Sequence, residues 1–221
     1  MGRVIVFARK EIFPLSRTST TALVILLMLL SLAGVYAQDS PDSGDEAEGD
    51  FVPTYTLGDQ ILSLNVGMLF PLFYTGGPDG RQDANLTLGG TGHLSWSSFL
   101  NNNLAVGGEF GGMFAFTPNR NTLFMIPLAA RISYFLRAYP FEFPLTLAAG
   151  VNFSRFRDSF KTDPIVIPGA GFYWNYSTEW AFGLDLRYWW VPQIYRGPDP
   201  PAEDTRFGNF LGTTLSVLYR F

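Results

Sequence analysis

The chain has no cysteine and a single histidine, His93. The first absence excludes disulfides, thiol chemistry and lipid attachment through cysteine. The two together exclude the usual zinc ligand sets, and no metal or cofactor is expected. Charge is scarce as well: 15% of residues are charged, against about 25% in an average soluble domain. Beyond residue 37 no apolar run approaches the ~18 residues that mark a spanning helix. The glycine-rich stretch Gly107-Gly108-Glu109-Phe110-Gly111-Gly112 is not a phosphate loop, because no helix pattern follows it. No basic patch is interleaved with aromatics, which argues against a nucleic-acid partner.

What the chain does have is apolar surface: 47% of its residues are hydrophobic and 16% aromatic. Those residues alternate instead of running together. Lipid cannot hydrogen-bond a backbone, so only helices and closed barrels span a membrane. Alternation without spanning helices therefore points to a barrel.

The N-terminal part carries an address. Arg3, Arg9, Lys10 and Arg17 precede the apolar run from Ala22 to Leu32, and Val35-Tyr36-Ala37 places small residues for processing before Gln38. Residues 1–37 are expected to be a secretory signal peptide. The 16 residues from 22 to 37 are short of the roughly 20 that a membrane anchor needs. The net charge of −4 then divides into +3 for the signal, −6 for residues 38–50 and about −1 for the rest. Residues 38–50 cannot bury a core, and a disordered acidic tail is expected there.

Residues 51–221 provide about 21 residues per strand and connection if there are eight strands, enough for membrane strands of roughly 9–11 residues or somewhat more. Gly, Pro, Asn and Asp clusters punctuate the chain accordingly. Strands are expected at about 59–73, 84–98, 104–116, 122–136, 144–157, 165–175, 179–195 and 207–221. The longest loops, 74–83 and 196–206, then share one end with the other long connections. Tyr74, Phe116, Phe124, Phe153, Tyr188 and Trp190 are expected at one rim. Trp96, Tyr134, Trp174, Trp180, Tyr219 and Phe221 are expected at the other, as two interfacial belts.

Leu215, Val217, Tyr219 and Phe221 alternate along the last strand, and the chain closes on an aromatic. This resembles the C-terminal signature of bacterial outer-membrane barrels, which the barrel-insertion machinery reads. The chain resembles the small eight-stranded outer-membrane barrels of the OmpW, OmpX and OmpA membrane-domain type, with OmpW-like barrels the nearest. The resemblance implies an all-β, eight-stranded antiparallel transmembrane barrel in the bacterial outer membrane, monomeric, with both termini periplasmic. It also implies outer-membrane lipid as surroundings and, in the OmpW manner, small hydrophobic solutes as cargo. A plugged structural or surface barrel of the OmpX kind is the alternative.

With the apolar face outward, the opposite residues line the lumen, among them Ser63, Asn65, Asn152, Thr214 and Ser216. The charged lumenal residues are His93, Glu109, Arg131, Asp185, Arg187 and Arg220. An eight-stranded lumen is only wide enough for side chains, so these charges must pair. Hairpins centred on residues 101 and 120 would make a row of His93, Glu109 and Arg131, with Asp185 and Arg187 as a second group and Arg220 joining either one as the barrel closes. Apolar Met113, Leu123, Met125, Phe135 and Trp189 also face inward and suit apolar passage.

One enzymatic reading is open: His93, Ser95 and Glu109 have the residue types of a Ser/His/Glu hydrolase. In this they are similar to the outer-membrane lipid A deacylases. Trp96 stands where that family is expected to have Asn, and all three side chains face the lumen, so a non-enzymatic protein is expected. Arg155 and Arg157 sit at the outer, lipid-facing end of strand five, where long cationic stems can snorkel to headgroups.

Overall fold

The computed structural model describes residues 55–77, 80–119, 121–157, 159–194 and 205–221. The expected signal peptide (1–37), the expected acidic tail (38–50) and most of the 196–206 loop lie outside the described residues. Eight long strands follow in order: β1 Gln60–Gly76, β2 Gly89–Phe99, β3 Leu104–Phe116, β4 Thr122–Ala138, β5 Phe141–Phe156, β6 Ser159–Asn175, β7 Trp180–Gln193 and β8 Arg206–Arg220. Each pairs antiparallel with the next, and β8 returns to β1 from Ile61↔Arg220 to Gly76↔Arg206. The sheet is a closed barrel, so no long strand is left with an open edge. Gln82 and Asp83 add a two-residue ladder on β1.

Burial alternates with period two, and the outside is the apolar side. Leu64, Leu184 and Leu215 are 55%, 56% and 71% exposed, whereas inward Asn65 is fully buried. That inversion needs an apolar solvent around the barrel. No helix among the described residues is long and apolar enough to cross a membrane; crossing is by strands. Exposed aromatics gather at both ends. Trp96, Tyr134, Trp174 and Trp180 lie toward the end bearing Gln60 and Arg220, here called the terminal end; Phe116, Phe124, Phe160 and Trp190 lie toward the loop end.

Four expectations from the sequence are corrected. β2 starts at Gly89, five residues later than the pattern suggested. β5 starts at Phe141, and β6 at Ser159, so Asp163 and Pro164 are strand residues and not a turn. Pro164 lacks only the one ladder bond that an N–H would make, while Asp163 continues the inward alternation. Tyr74, expected in the outer belt, packs against the lumenal core and edge-on to Phe210 at 6.2 Å. A bulge between Pro71 and Phe73 shifts the register of β1 and re-aims the residues after it.

Glycine permits close approach where strands bend. A Cβ at Gly150 would lie 2.1 Å from the Leu128 carbonyl oxygen, whereas one at Gly108 would meet nothing nearer than 3.6 Å. Gly150→Ala is therefore expected to lower barrel stability by about 1–3 kcal/mol. Gly108→Ala is expected to stay within about 0.5 kcal/mol of the parent. Paired urea titrations in detergent read the difference, and equal midpoints for the two variants would count against this geometry.

Candidate functional site

On β1, β4, β7 and β8 the inward positions share one order, whereas β5 carries buried polar residues toward both ends, Glu142 and Ser154. From the terminal end, β1 reads Ile61, then Ser63 and Asn65, then Leu69. On β4 the order is Phe135, then Ser133 and Arg131, then Ala129 and Met125. It is Ala181, then Asp185 and Arg187, then Trp189 on β7, and Leu218, then Ser216 and Thr214, then Phe210 on β8. Two apolar clusters result, one toward each end, with a polar layer between them.

Hydrogen bonds and one ion pair run around that polar layer. The Tyr173 hydroxyl donates to Asp185 Oδ2 at 2.5 Å, and Ser216 Oγ lies 2.6 Å from the same oxygen. Ser216 also bonds Asn65, whose amide reaches Ser63 Oγ at 3.3 Å. Ser63 Oγ and Ser95 Oγ are 2.6 Å apart, and Arg131 Nη1 donates to Ser95 Oγ at 2.8 Å. Arg131 lies 3.8 Å from Glu109, and Arg187 Nη2 donates to both Glu109 oxygens at 2.5 and 2.7 Å. The circuit leaves β7 at Asp185 and returns to it at Arg187, passing β8, β1, β2, β4 and β3, with Tyr173 of β6 attached. Glu109 is 4% exposed, so its charge is neutralised by the two guanidinium groups and not by solvent.

The sequence-derived groups are arranged differently. Glu109 and Arg131 are neighbours, but in register Glu109 faces Ser95 and Ala129, and His93 faces Gly111. Both hairpins turn one residue away from the assumed centres, which shifts each pairing by two. The second group is not separate: Arg187 joins Glu109 across the lumen. Arg220 joins neither. It bonds Glu142 Oε2 at 3.1 Å and Asn175 Oδ1 at 2.5 Å, at the terminal end. Leu215, Val217, Tyr219 and Phe221 are the lipid-facing side of β8 and the residue after it, with Tyr219 and Phe221 stacked at 5.8 Å.

Glu142 and Tyr55 were missed by sequence reasoning. Glu142 falls just before the expected start of β5, and Tyr55 precedes the first strand. Tyr55 folds into the terminal end, 3% exposed, stacked on Phe99 at 3.8 Å. Its hydroxyl donates to Glu142 and accepts from Arg220. The Arg137 guanidinium lies 4.1 Å from the Tyr55 ring centroid. Burial, reinforced by the Glu142 carboxylate, pushes the phenol well above its ordinary value, so it remains a donor.

The hydrolase constellation is not assembled. Ser95 Oγ is engaged by Ser63 and Arg131, Glu109 by Arg187, and His93 Nε2 has no hydrogen-bond partner. The described residues hold no group of three side chains suited to a metal. At the loop end a cavity of about 380 Å³ opens above the upper apolar cluster, lined by Tyr74, Leu86, Leu123, Phe156, Lys161 and Arg206 among others.

Together these features define a small eight-stranded transmembrane barrel of the outer-membrane class, with side chains filling its lumen. A protein-family model matches residues 42–219, and the chain belongs to that family. It is similar to an uncharacterized protein of Borreliella burgdorferi, 28% identical over 184 residues, covering 73% of this chain and 81% of that one. It is also similar to an uncharacterized protein of Treponema pallidum, 25% identical over 152 residues, covering 64% and 69%. Among solved structures, Neisserial surface protein A shares the fold, with a TM-score of 0.54 and 13% identity over 74% of this chain and 97% of that one.

Proposed function

We propose that this chain is a monomeric, non-enzymatic outer-membrane protein whose lumen is closed to solutes and whose working surface is its loop end. In this reading residues 1–37 are removed as a signal peptide. Both termini and the acidic 38–50 tail are periplasmic, and the pattern from Leu215 to Phe221 serves insertion. The observation that carries the closed-lumen reading is the apolar–polar–apolar order of inward side chains. Met113, Leu123, Met125, Phe135 and Trp189, which from sequence suited a path for small hydrophobic solutes, are packed in the two clusters that cap the polar layer. A path would have to break the Glu109–Arg187 bond and separate two buried charges among packed side chains.

Planar-bilayer recording tests this. The refolded barrel, with its β-sheet content verified by circular dichroism, is expected to give no discrete current steps. Regular openings would overturn the closed-lumen reading and restore conduction of small solutes.

A further inference from the structure

Along the eight long strands, described positions that face lipid carry no charge, with one exception: Arg155 on β5. Every other charged residue of those eight strands follows the inward parity, while Asp83 of the short ladder on β1 is exposed. Arg155 is exposed and stands in register between Phe124 of β4 and Phe160 of β6. Its Nε reaches back to the Arg157 carbonyl oxygen at 3.5 Å, and the Arg157 guanidinium sits 5.5 Å from the Phe156 ring centroid. Neither arginine has a carboxylate partner among the described residues. A cavity of about 280 Å³ opens here, lined by Asn121, Thr122, Phe124, Arg155 and Arg157.

Arg155 and Arg157 line the same cavity, and two like charges that share a cavity favour an anion there. A phosphate matches both, since each planar fork can donate two parallel hydrogen bonds to anionic oxygens. The height of the pair also decides the source of that phosphate. It stands at the loop-end edge of the belt, where lipid headgroups lie. Level with Arg155, Phe160 stacks at 6.2 Å on Phe153 from one outward pair lower, beside exposed Phe124 and Ile126, giving acyl chains an apolar wall. Asn121 and Thr122 add neutral polar groups at the level of a lipid's ester oxygens.

We propose that Arg155 and Arg157 form a binding site for the phosphate headgroup of one anionic lipid, whose acyl chains lie against Phe124 and Phe160. This is independent of whether the lumen conducts. The site is occupied on the outer wall, and a lipid held there fixes the depth and rotation of the barrel at its loop end.

The test uses the refolded barrel in zwitterionic detergent, with short-chain phosphatidic acid as probe and native mass spectrometry as readout. One phosphatidic acid is expected to stay bound, in preference to phosphatidylcholine of the same chain length. The double variant Arg155→Gln/Arg157→Gln is expected to bind it about thirtyfold more weakly. Arg81→Gln, which removes a loop-end guanidinium held 3.8 Å from the Phe73 ring centroid, is expected to leave binding unchanged. Heat-modified gel mobility verifies that each variant is folded. Equal affinity of the double variant and the parent would overturn the proposal, as would equal retention of the two lipids. Displacement of the lipid by inorganic phosphate at equal concentration would overturn the lipid source and leave a free-phosphate site.

Discussion

Replacing Glu109 with alanine is expected to lower the unfolding free energy of the barrel by about 3–5 kcal/mol, the usual cost of breaking a buried pair. Among the described residues, Glu109 is the carboxylate in ion-pair distance of two buried guanidinium groups, Arg187 at 2.5 Å and Arg131 at 3.8 Å. Its loss leaves two positive charges facing each other in a lumen filled with side chains. Arg131 keeps Ser95 and Ser133 as acceptors, but those oxygens carry no charge. Arg187 keeps less, because its Nε and Nη1 already have no partner. The double variant Glu109→Leu/Arg187→Met is expected to recover most of the loss, since one charge of each sign leaves together and apolar neighbours such as Met113 and Trp189 can pack on the replacements. Urea titrations in detergent micelles, followed by tryptophan fluorescence, measure both. If Glu109→Ala unfolds at the parent's midpoint, the ring contributes nothing to stability and Arg187 has another way to discharge.

Tyr55→Ala is the second large effect, also about 3–5 kcal/mol by analogy with truncation of a buried aromatic ring. The ring fills space against Phe99 and Phe135, and its hydroxyl links Glu142 to Arg220. Tyr55→Phe separates the two contributions. It keeps the stack, loses the hydroxyl, and is expected to cost about 1–3 kcal/mol, because Arg220 loses an acceptor in a buried place. The same urea titrations rank the variants. A phenylalanine variant as unstable as the alanine variant would place the whole effect in the hydroxyl and none in the ring.

Much of the barrel was legible because parity is local. Two-residue alternation assigns Leu62 and Leu64 outward, and Ser63 and Asn65 inward, with no knowledge of neighbours. Charged residues could be placed inside for the same reason. Which charge meets which was not legible. The bond from Glu109 to Arg187 crosses from β3 to β7, and barrel diameter and strand stagger set such a contact, not any hairpin. Hairpin pairings slipped by two residues because moving a turn centre by one residue preserves parity while changing partners. The bulge at Pro71/Phe73 reverses parity, and although a proline within a strand can mark a bulge, the simple alternation ran through it, which is why Tyr74 was misplaced. Tyr55 carried no strand pattern, so its role emerges only from the space at the end of the barrel that it fills.

The hydrogen-bonded circuit of the lumen has a consequence for assembly. The link from Ser216 to Asn65 joins residues 151 positions apart, across the seam where β8 meets β1. Strands paired one residue out of step would turn Glu109 or Arg187 toward lipid, and strands two residues out of step would separate donors from acceptors. The loop of bonds thus works as a combination lock with one number on each strand it passes. It closes only after the last strand has arrived in its correct alignment, so the finished barrel and a nearly finished one differ by the whole circuit and not by a single bond.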